Sequence, residues 1–426
     1  MKNSIKQTLT KLILNIIDIF PFLLGIILIP IGLICSWLAM LMPNRRKKPR
    51  LLWASSPIKS LAYMACALKE AGYKSETVVL ESSAICTRND FDHVLMPFQP
   101  KNRFTVLLAW LLTNFRAYIF FARTLVHFDI FHFYFDGGIL RRTLLARFEL
   151  CLLRLAGKRI VLMPYGSDAF VYDLIPNPIW RHALLTHYPM HGDAAAQIQK
   201  RIRRMTAKAD TVVGCLVHIV NLPRWDILPL TCYPIDTQHI QPSLPKTTGP
   251  IRIAHAPNHR GIKGTEYLLA AIHRLQQEGH DIELDIIEKL PNTIALQRIN
   301  QADIFVDQLV FGYALAALEG FAMGKIVITA IEDTPMYELF RRYSYLNECP
   351  AIAANTMSIY VVLKDLIARR RQWPMIGAAS RTYAERRHSY KATAEMFEAI
   401  YKKIWYGDEN IDLINFYHPL LEKKVR

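Results

Sequence analysis

The spacing of short apolar runs between residues 251 and 338 constrains this chain more than any other feature. Arg252-Ile253-Ala254-His255-Ala256 reads as a strand that leaves its sheet into Pro257-Asn258-His259-Arg260-Gly261. A helix follows, with Leu268, Leu269, Ile272 and Leu275 on one side at helical spacing. Residues 283–287 (ELDII), 302–306 (ADIFV) and 325–330 (KIVITA) read as further strands, the last entered through Met323-Gly324. Strand, helix and strand at this rhythm predict right-handed parallel units wound into an α/β sheet. In such sheets ligands sit beyond the carboxyl ends of the strands, near helix N-termini that favour anions.

The preceding half follows the same logic. Leu51-Leu52-Trp53-Ala54 reads as a strand and Ser55-Ser56-Pro57-Ile58-Lys59 as its exit loop. The next helix runs through Leu61, Met64, Ala65 and Leu68 and stops near Gly72. Thr77 to Leu80, Phe128 to Phe135, Arg159 to Met163 and Thr211 to Gly214 supply more strands. The run from Phe128 to Phe135 is apolar nearly throughout, as expected of a strand covered on both faces. Residues 241–250, rich in Pro and Thr and without periodicity, read as a linker. The expected organisation is two Rossmann-like domains, an N-terminal one over 51–240 and a C-terminal one over 251–385, followed by a helix and tail over 386–426.

Ahead of them, residues 19–42 form a run of about 24 residues with no charge, enough for a hydrocarbon core that needs roughly 20. The run ends in a basic flank, with five Lys or Arg among residues 45–50. Positive flanks stay cytoplasmic, so the domains beyond are expected in the cytosol. Pro21 and Pro30 keep a re-entrant or interfacial helix open beside a span. A cleaved signal peptide fits less well, since no A-x-A site follows. Phe104 to Phe121 is a second apolar run, but Arg116 near its middle favours a helix packed on the domain, with a face resting on the membrane as the intermediate reading. The chain is 52% hydrophobic and carries a net charge of +16, which points to an anionic partner without choosing among lipid, phosphate and nucleic acid. The basic cluster Lys200, Arg201, Arg203, Arg204 and Lys208 reads as the solvated side of a helix, or as a face toward the inner leaflet or a phosphorylated acceptor. Seven scattered cysteines, with no C-x-x-C pair, suit reduced thiols.

The motifs H-R-G-I-K-G-T-E-Y-L-L from His259 and D-Q-L-V-F-G-Y-A-L-A-A-L-E-G-F-A-M-G-K-I-V-I from Asp307 resemble the nucleotide-binding half of retaining GT-B glycosyltransferases of the family-four type. A looser resemblance to their acceptor domain rests on F-D-I-F-H-F-Y-F, Y-G-S-D and the stretch from Ala209 to Asp236. The resemblance implies two Rossmann-like domains in the GT-B arrangement, with the C-terminal helix crossing back to the first. It implies transfer of a sugar from a nucleotide-sugar co-substrate, with retention and without a metal or other cofactor. An Arg and a Lys of the first motif hold the diphosphate in that family, which assigns Arg260 and Lys263, with Gly264 allowing close backbone approach. Arg260 stands three residues before the Lys, where five is commoner. Glu319 matches the second carboxylate of the E-x7-E pair, read as the ribose partner. The first carboxylate is replaced by Phe311, so its work on the sugar falls to Asp307, a candidate catalytic carboxylate, and to Gln308, with Gly312 and Tyr313 opening the loop.

Asp168, in Pro164-Tyr165-Gly166-Ser167-Asp168 at a strand end, is a candidate catalytic carboxylate, with a helix cap as the alternative. Ser55 and Ser56 are candidate acceptor contacts or caps. His132, His255 and His259 read as structural or loop residues. Asp90-Phe91-Asp92 resembles the D-x-D metal signature but lacks a strong strand before it, so no metal is expected. Basic–aromatic nucleic-acid motifs are absent from the sequence, and a nucleic-acid partner is not expected. The expected function is glycosyl transfer to a lipid-linked or glycolipid acceptor at an anionic membrane surface. A non-catalytic membrane-bound scaffold, suggested by the missing carboxylate, is the alternative.

Overall fold

The computed structural model describes residues 23–41, 48–82, 86–100, 105–312, 314–331 and 334–421. Most of the basic flank, both ends of the apolar run over 19–42, and Tyr313 lie outside them. Along the chain come α1 (Leu23–Leu41), β1 (Leu51–Ser55), α2 (Lys59–Glu70), β2 (Ser75–Val79), β3 (His93–Val94), α3 (Thr105–His127), β4 (Ile130–Tyr134), α4 (Glu149–Leu155) and β5 (Arg159–Met163). Next are α5 (Pro178–His187), α6 (Pro189–Asp193), α7 (Ala195–Thr206) and β6 (Thr211–Val212). The remainder contains β7 (Ile251–His255), α8 (Arg260–Lys263), α9 (Thr265–Gln277), β8 (Ile282–Ile286), α10 (Asn292–Gln301) and β9 (Ile304–Gln308). It continues with α11 (Leu315–Ala322), β10 (Ile326–Thr329), α12 (Pro335–Tyr343), β11 (Ile352–Ala353), α13 (Ile359–Ala368), α14 (Trp373–Tyr383) and α15 (Tyr390–Ile404).

Packing divides the chain into two units, one of residues 1–163 with 204–211 and the other of 164–203 with 212–426. The first unit carries a sheet in the order β3-β2-β1-β4-β5-β6, with the pairs among β1 to β5 parallel. This is the order of a doubly wound nucleotide-binding sheet. Its central strands β1 and β4 are buried at every position, because crossover helices cover both faces of a parallel sheet. His132 in β4 is core, stacked on Trp53 with ring centroids 3.7 Å apart. Burial pushes it down to about 3, so it is neutral. Asp90 and Asp92 are structural: Asp90 pairs with Lys59 and closes a capping box with Thr87, while Asp92 pairs with Lys69 and accepts from the backbone of Thr77. Among the described residues no cluster of three His, Cys, Asp or Glu is placed to hold a metal.

The second unit carries the sheet β11-β10-β9-β7-β8, parallel throughout. Leu268, Ile272 and Leu275 of α9 pack into its core with Ile253, Ile304, Val306, Ile326 and Ile328. Strand β9 extends two residues further than the sequence pattern indicates. Its register against β10 jumps from Ile328↔Val306 to Thr329↔Gln308, which leaves Asp307 as the extra residue. A bulge of this kind redirects a side chain at the end of a strand. The chain order places the topological switch point between β7 and β9, where neighbouring connections leave for opposite faces and open a crevice.

The segment 164–203 packs with the second unit, and hydrophobic periodicity does not show that. Helix α5 begins at Asn177, whose side chain accepts from the amides of Ile179 and Trp180, with Pro178 at the first turn. Its Trp180 is buried. Of the basic cluster on α7, Arg201 turns inward and donates to the carbonyl of Asp168.

Candidate active site

Two loops meet beyond the switch point of the second sheet. One leaves β7 and makes the single turn of α8. It ends at Gly264, whose φ of 73° is left-handed and whose Cβ position would lie 2.8 Å from the Leu309 side chain. Only glycine takes that conformation and that approach cheaply. The other loop leaves β9 at Gln308 and enters α11. Lys263 and Asp307 join them: Nζ lies 2.5 Å from Oδ1, with side-chain exposures of 7% and 0%. The other carboxylate oxygen of Asp307 accepts the amide of Ala314 at 3.1 Å. One ammonium–carboxylate pair thus pins both loops, with its charges held out of water.

Arg260 faces elsewhere. Its guanidinium pairs with Glu266 at 2.8 Å and Glu288 at 3.2 Å, and it is 41% exposed. The two cations of the first motif therefore do not converge in this structure. Gln308 is buried and donates to the carbonyl of Gly312, closing the loop that follows β9. Glu319 lies in the second turn of α11, 5% exposed. Its neighbour Gly320 lets the helix sit on β9 and β10, since a Cβ there would lie 2.9 Å from Phe305. His255, at the end of β7, is bonded on both nitrogens, to the carbonyl of Val306 at 2.7 Å and the hydroxyl of Thr265 at 2.9 Å. Burial lowers it to about 4, so it is a structural neutral imidazole.

Beside these loops lies a cavity of about 410 Å³. Gln308, Asn258 and Ile262 contribute from the two loops; Tyr165, His218 and Tyr233 contribute from segments distant in sequence. Its apolar wall is built on Phe311, the residue at the missing first carboxylate. Phe311 packs 4.9 Å from the ring of Trp180 and 6.3 Å from that of Phe170. His218 stacks on Phe170 at 4.7 Å, and Nε2 donates to the carbonyl of Gly166 at 3.1 Å. Burial pushes His218 down to about 4, which leaves the ring neutral with its hydrogen on Nε2. At the rim, His187 of α5 lies over Gly261, where a Cβ would collide with its ring, and its centroid is 4.5 Å from that of His259.

Asp168 is adjacent but occupied. Its Oδ1 accepts the amides of Tyr165 at 3.0 Å and Gly166 at 2.8 Å, so the carboxylate shapes the turn that carries both residues. Ser55 and Ser56 belong to the first unit. Ser55 donates to the carbonyl of Gly137, and Ser56 bonds with Asp136 and Arg141. The structure thus brings Lys263, Gly264, Asp307, Gln308 and Gly312 together. Arg260 stands on the surface beside them, and Asp168 serves the far side of the cavity. Sequence reasoning missed His187 and His218 and the role of Phe311, because each acts through neighbours more than 50 residues away or through a lone aromatic with no motif of its own.

No protein-family model matches the sequence, and no curated protein matches it. Solved structures match its fold. HepE of Anabaena, in complex with UDP, aligns with a TM-score of 0.51 at 12% identity, over 83% of this chain and 100% of that one. A glycosyltransferase from Rickettsia africae aligns with a TM-score of 0.51 at 14% identity, over 84% and 99%. An alpha-glucosyltransferase in complex with UDP and DNA aligns with a TM-score of 0.50 at 9% identity, over 83% and 100%. With its two parallel-sheet Rossmann-like domains, the chain has the GT-B fold that it shares with these solved structures.

Proposed function

We propose that this protein transfers a sugar from a nucleotide-sugar donor to a lipid-linked or glycolipid acceptor, with retention and without a metal. The observation that carries the reading is the buried Lys263–Asp307 pair at the switch point, beside a cavity of about 410 Å³. The diphosphate of the donor binds at Lys263 and competes with Asp307 for its ammonium, and Glu319 accepts from the ribose hydroxyls. As the bond from the anomeric carbon to the diphosphate oxygen breaks, the acceptor hydroxyl attacks from the same face and gives its proton to the departing diphosphate. Stabilising that developing charge is the main task left to the protein. The fold neighbour HepE was solved with UDP and with UDP-glucose, which makes UDP-sugars the first donors to try. The apolar α1, followed by the basic flank, attaches the protein to the cytosolic face of a membrane, where the acceptor lies.

The test is titration of UDP and UDP-glucose, followed by calorimetry and thermal unfolding. A ligand at 100 times its Kd adds about 2.7 kcal/mol of stability, and Glu319→Gln should remove that gain. The second reading, a scaffold with a decayed site, draws on the apolar Phe311 at a carboxylate position and on the paired state of Arg260. It requires that no nucleotide diphosphate produce heat or stabilisation.

A further inference from the structure

Helix α1 is attached to the first unit along its length by one narrow stripe. Gly25, Ile29, Gly32 and Ser36 are buried, at spacings of four, three and four, while most of the remaining surface is exposed. The glycines are there for close approach: a Cβ on Gly25 would lie 2.7 Å from Leu145 and 3.3 Å from Tyr118, and one on Gly32 would lie 3.1 Å from the backbone of Ala122. Small residues at such spacing let helix backbones touch. The hydroxyl of Ser36 reaches the carbonyl of Ala156 at 3.4 Å, and Met40 covers Gly157. Both ends of α1 therefore rest on the first unit, against α3 near its start and against the α4–β5 connection near its end.

What α1 leaves uncovered is apolar. Ile27, Ile34, Trp37 and Leu41 are 59%, 59%, 56% and 62% exposed. Helix α3 continues the surface: Leu108, Leu112, Phe115 and Ile119 form an exposed stripe, and the next residue along it is Ala122, which carries Gly32. Phe148 and Leu155 of the α4 region extend it on the other side. Water does not support an apolar face of this extent. The charged side chains exposed along 105–127 and 144–155 are Arg123, Arg147 and Arg154, and the acidic residue within those segments, Glu149, is buried. An apolar face with exposed aromatic side chains and a cationic rim matches an anionic bilayer surface.

We propose that α1, α3 and the α4 region form one monotopic membrane face, in which α1 lies in the plane of a single leaflet of anionic lipid rather than crossing the bilayer. A crossing α1 would carry Arg123 and Arg154, exposed on the elements packed against it, into hydrocarbon, where charges are expensive. The inference deepens the membrane part of the proposed function and leaves the donor chemistry aside.

The test uses the full chain, with its accessible cysteines replaced by serine and spin labels placed singly at positions 26 to 38 of α1 and at Leu112 and Phe115. The vesicles are phosphatidylcholine with and without phosphatidylglycerol. On anionic vesicles, label depth should oscillate with the helical period along α1, with both α3 labels in lipid. The doublet Leu112→Lys with Phe115→Lys should lower the vesicle-bound fraction at least ten-fold, while UDP-induced stabilisation stays as in the parent. Loss of membrane binding with that response intact separates this inference from the donor-site reading. One bell-shaped depth profile along α1 with α3 in water would establish a span and overturn the proposal. So would labels shielded equally without vesicles in a concentration-dependent dimer.

Discussion

Removing either partner of the Lys263–Asp307 pair should cost the fold more than a surface ion pair would. The two groups are 7% and 0% exposed and lie 2.5 Å apart, so Lys263→Ala leaves a carboxylate in the interior with the amide of Ala314 as its remaining described polar contact. Breaking a buried pair by deleting one member costs roughly 3–5 kcal/mol, whereas replacing both by apolar residues of similar volume is often nearly neutral. Here the double replacement also leaves the Ala314 amide without its acceptor, which adds about 1 kcal/mol. In a unit of this size each kcal/mol moves the Tm by roughly 2–4 °C, so each single variant should melt roughly 6–20 °C below the parent. The variant with Lys263→Met and Asp307→Leu should melt within a few degrees of it, by the same scaling. Thermal unfolding of Lys263→Met, Asp307→Leu and the two combined, followed by circular dichroism, gives the double-mutant cycle. If Lys263→Ala costs under about 1 kcal/mol, or if the two singles simply add, the pair is not the strut described here. Substitutions at the same two positions report on donor binding with opposite signs. Asp307→Asn removes the competitor for the ammonium and should enlarge stabilisation by UDP, whereas Lys263→Ala should abolish it. An equal effect from both would refute the competition.

Two further predictions concern stability. His132, His218, His255 and His388 are buried and neutral, pushed down to about 3, 4, 4 and 3. Their folded values lie below the ordinary value near 6.5, so this contribution is complete above about pH 6.5 and is lost as pH falls toward 4. Urea midpoints measured across that window should drop steeply, and a flat profile would contradict the buried neutral state. Gly264→Ala should destabilise by about 1–3 kcal/mol because of its left-handed backbone, with more from the contact at Leu309. Adding Leu309→Ala should not relieve the contact, since the atom approached at 2.8 Å is Cβ, which alanine keeps, and a neutral Gly264→Ala would show that the α8–α9 junction is not fixed as seen.

The sequence itself determined the elements and their class. Apolar runs of strand length alternating with helical spacing require parallel β/α units, and β1, β4, β7, β8 and β10 lie within a residue or two of where that pattern puts them. Glycine at 264 and the short apolar strands are local signals, set by backbone sterics and burial over a few neighbours. Tertiary structure decided what distant residues do to one another. Lys263 and Asp307 are 44 positions apart, and nothing local says that the lysine seen as a free phosphate clamp is held by the aspartate seen as a catalytic group. The bulge that turns Asp307 toward Lys263 depends on the register against β10, a strand about 20 residues downstream. Likewise, a charge-free run of helix length reads as a span from composition alone. Only the contacts of Gly25 and Gly32 reveal that one side of it belongs to the protein. Periodicity reports how an element meets its own surroundings. Which surface or charge provides those surroundings depends on chain closure over tens of residues, and that is fixed when the sheets and loops pack.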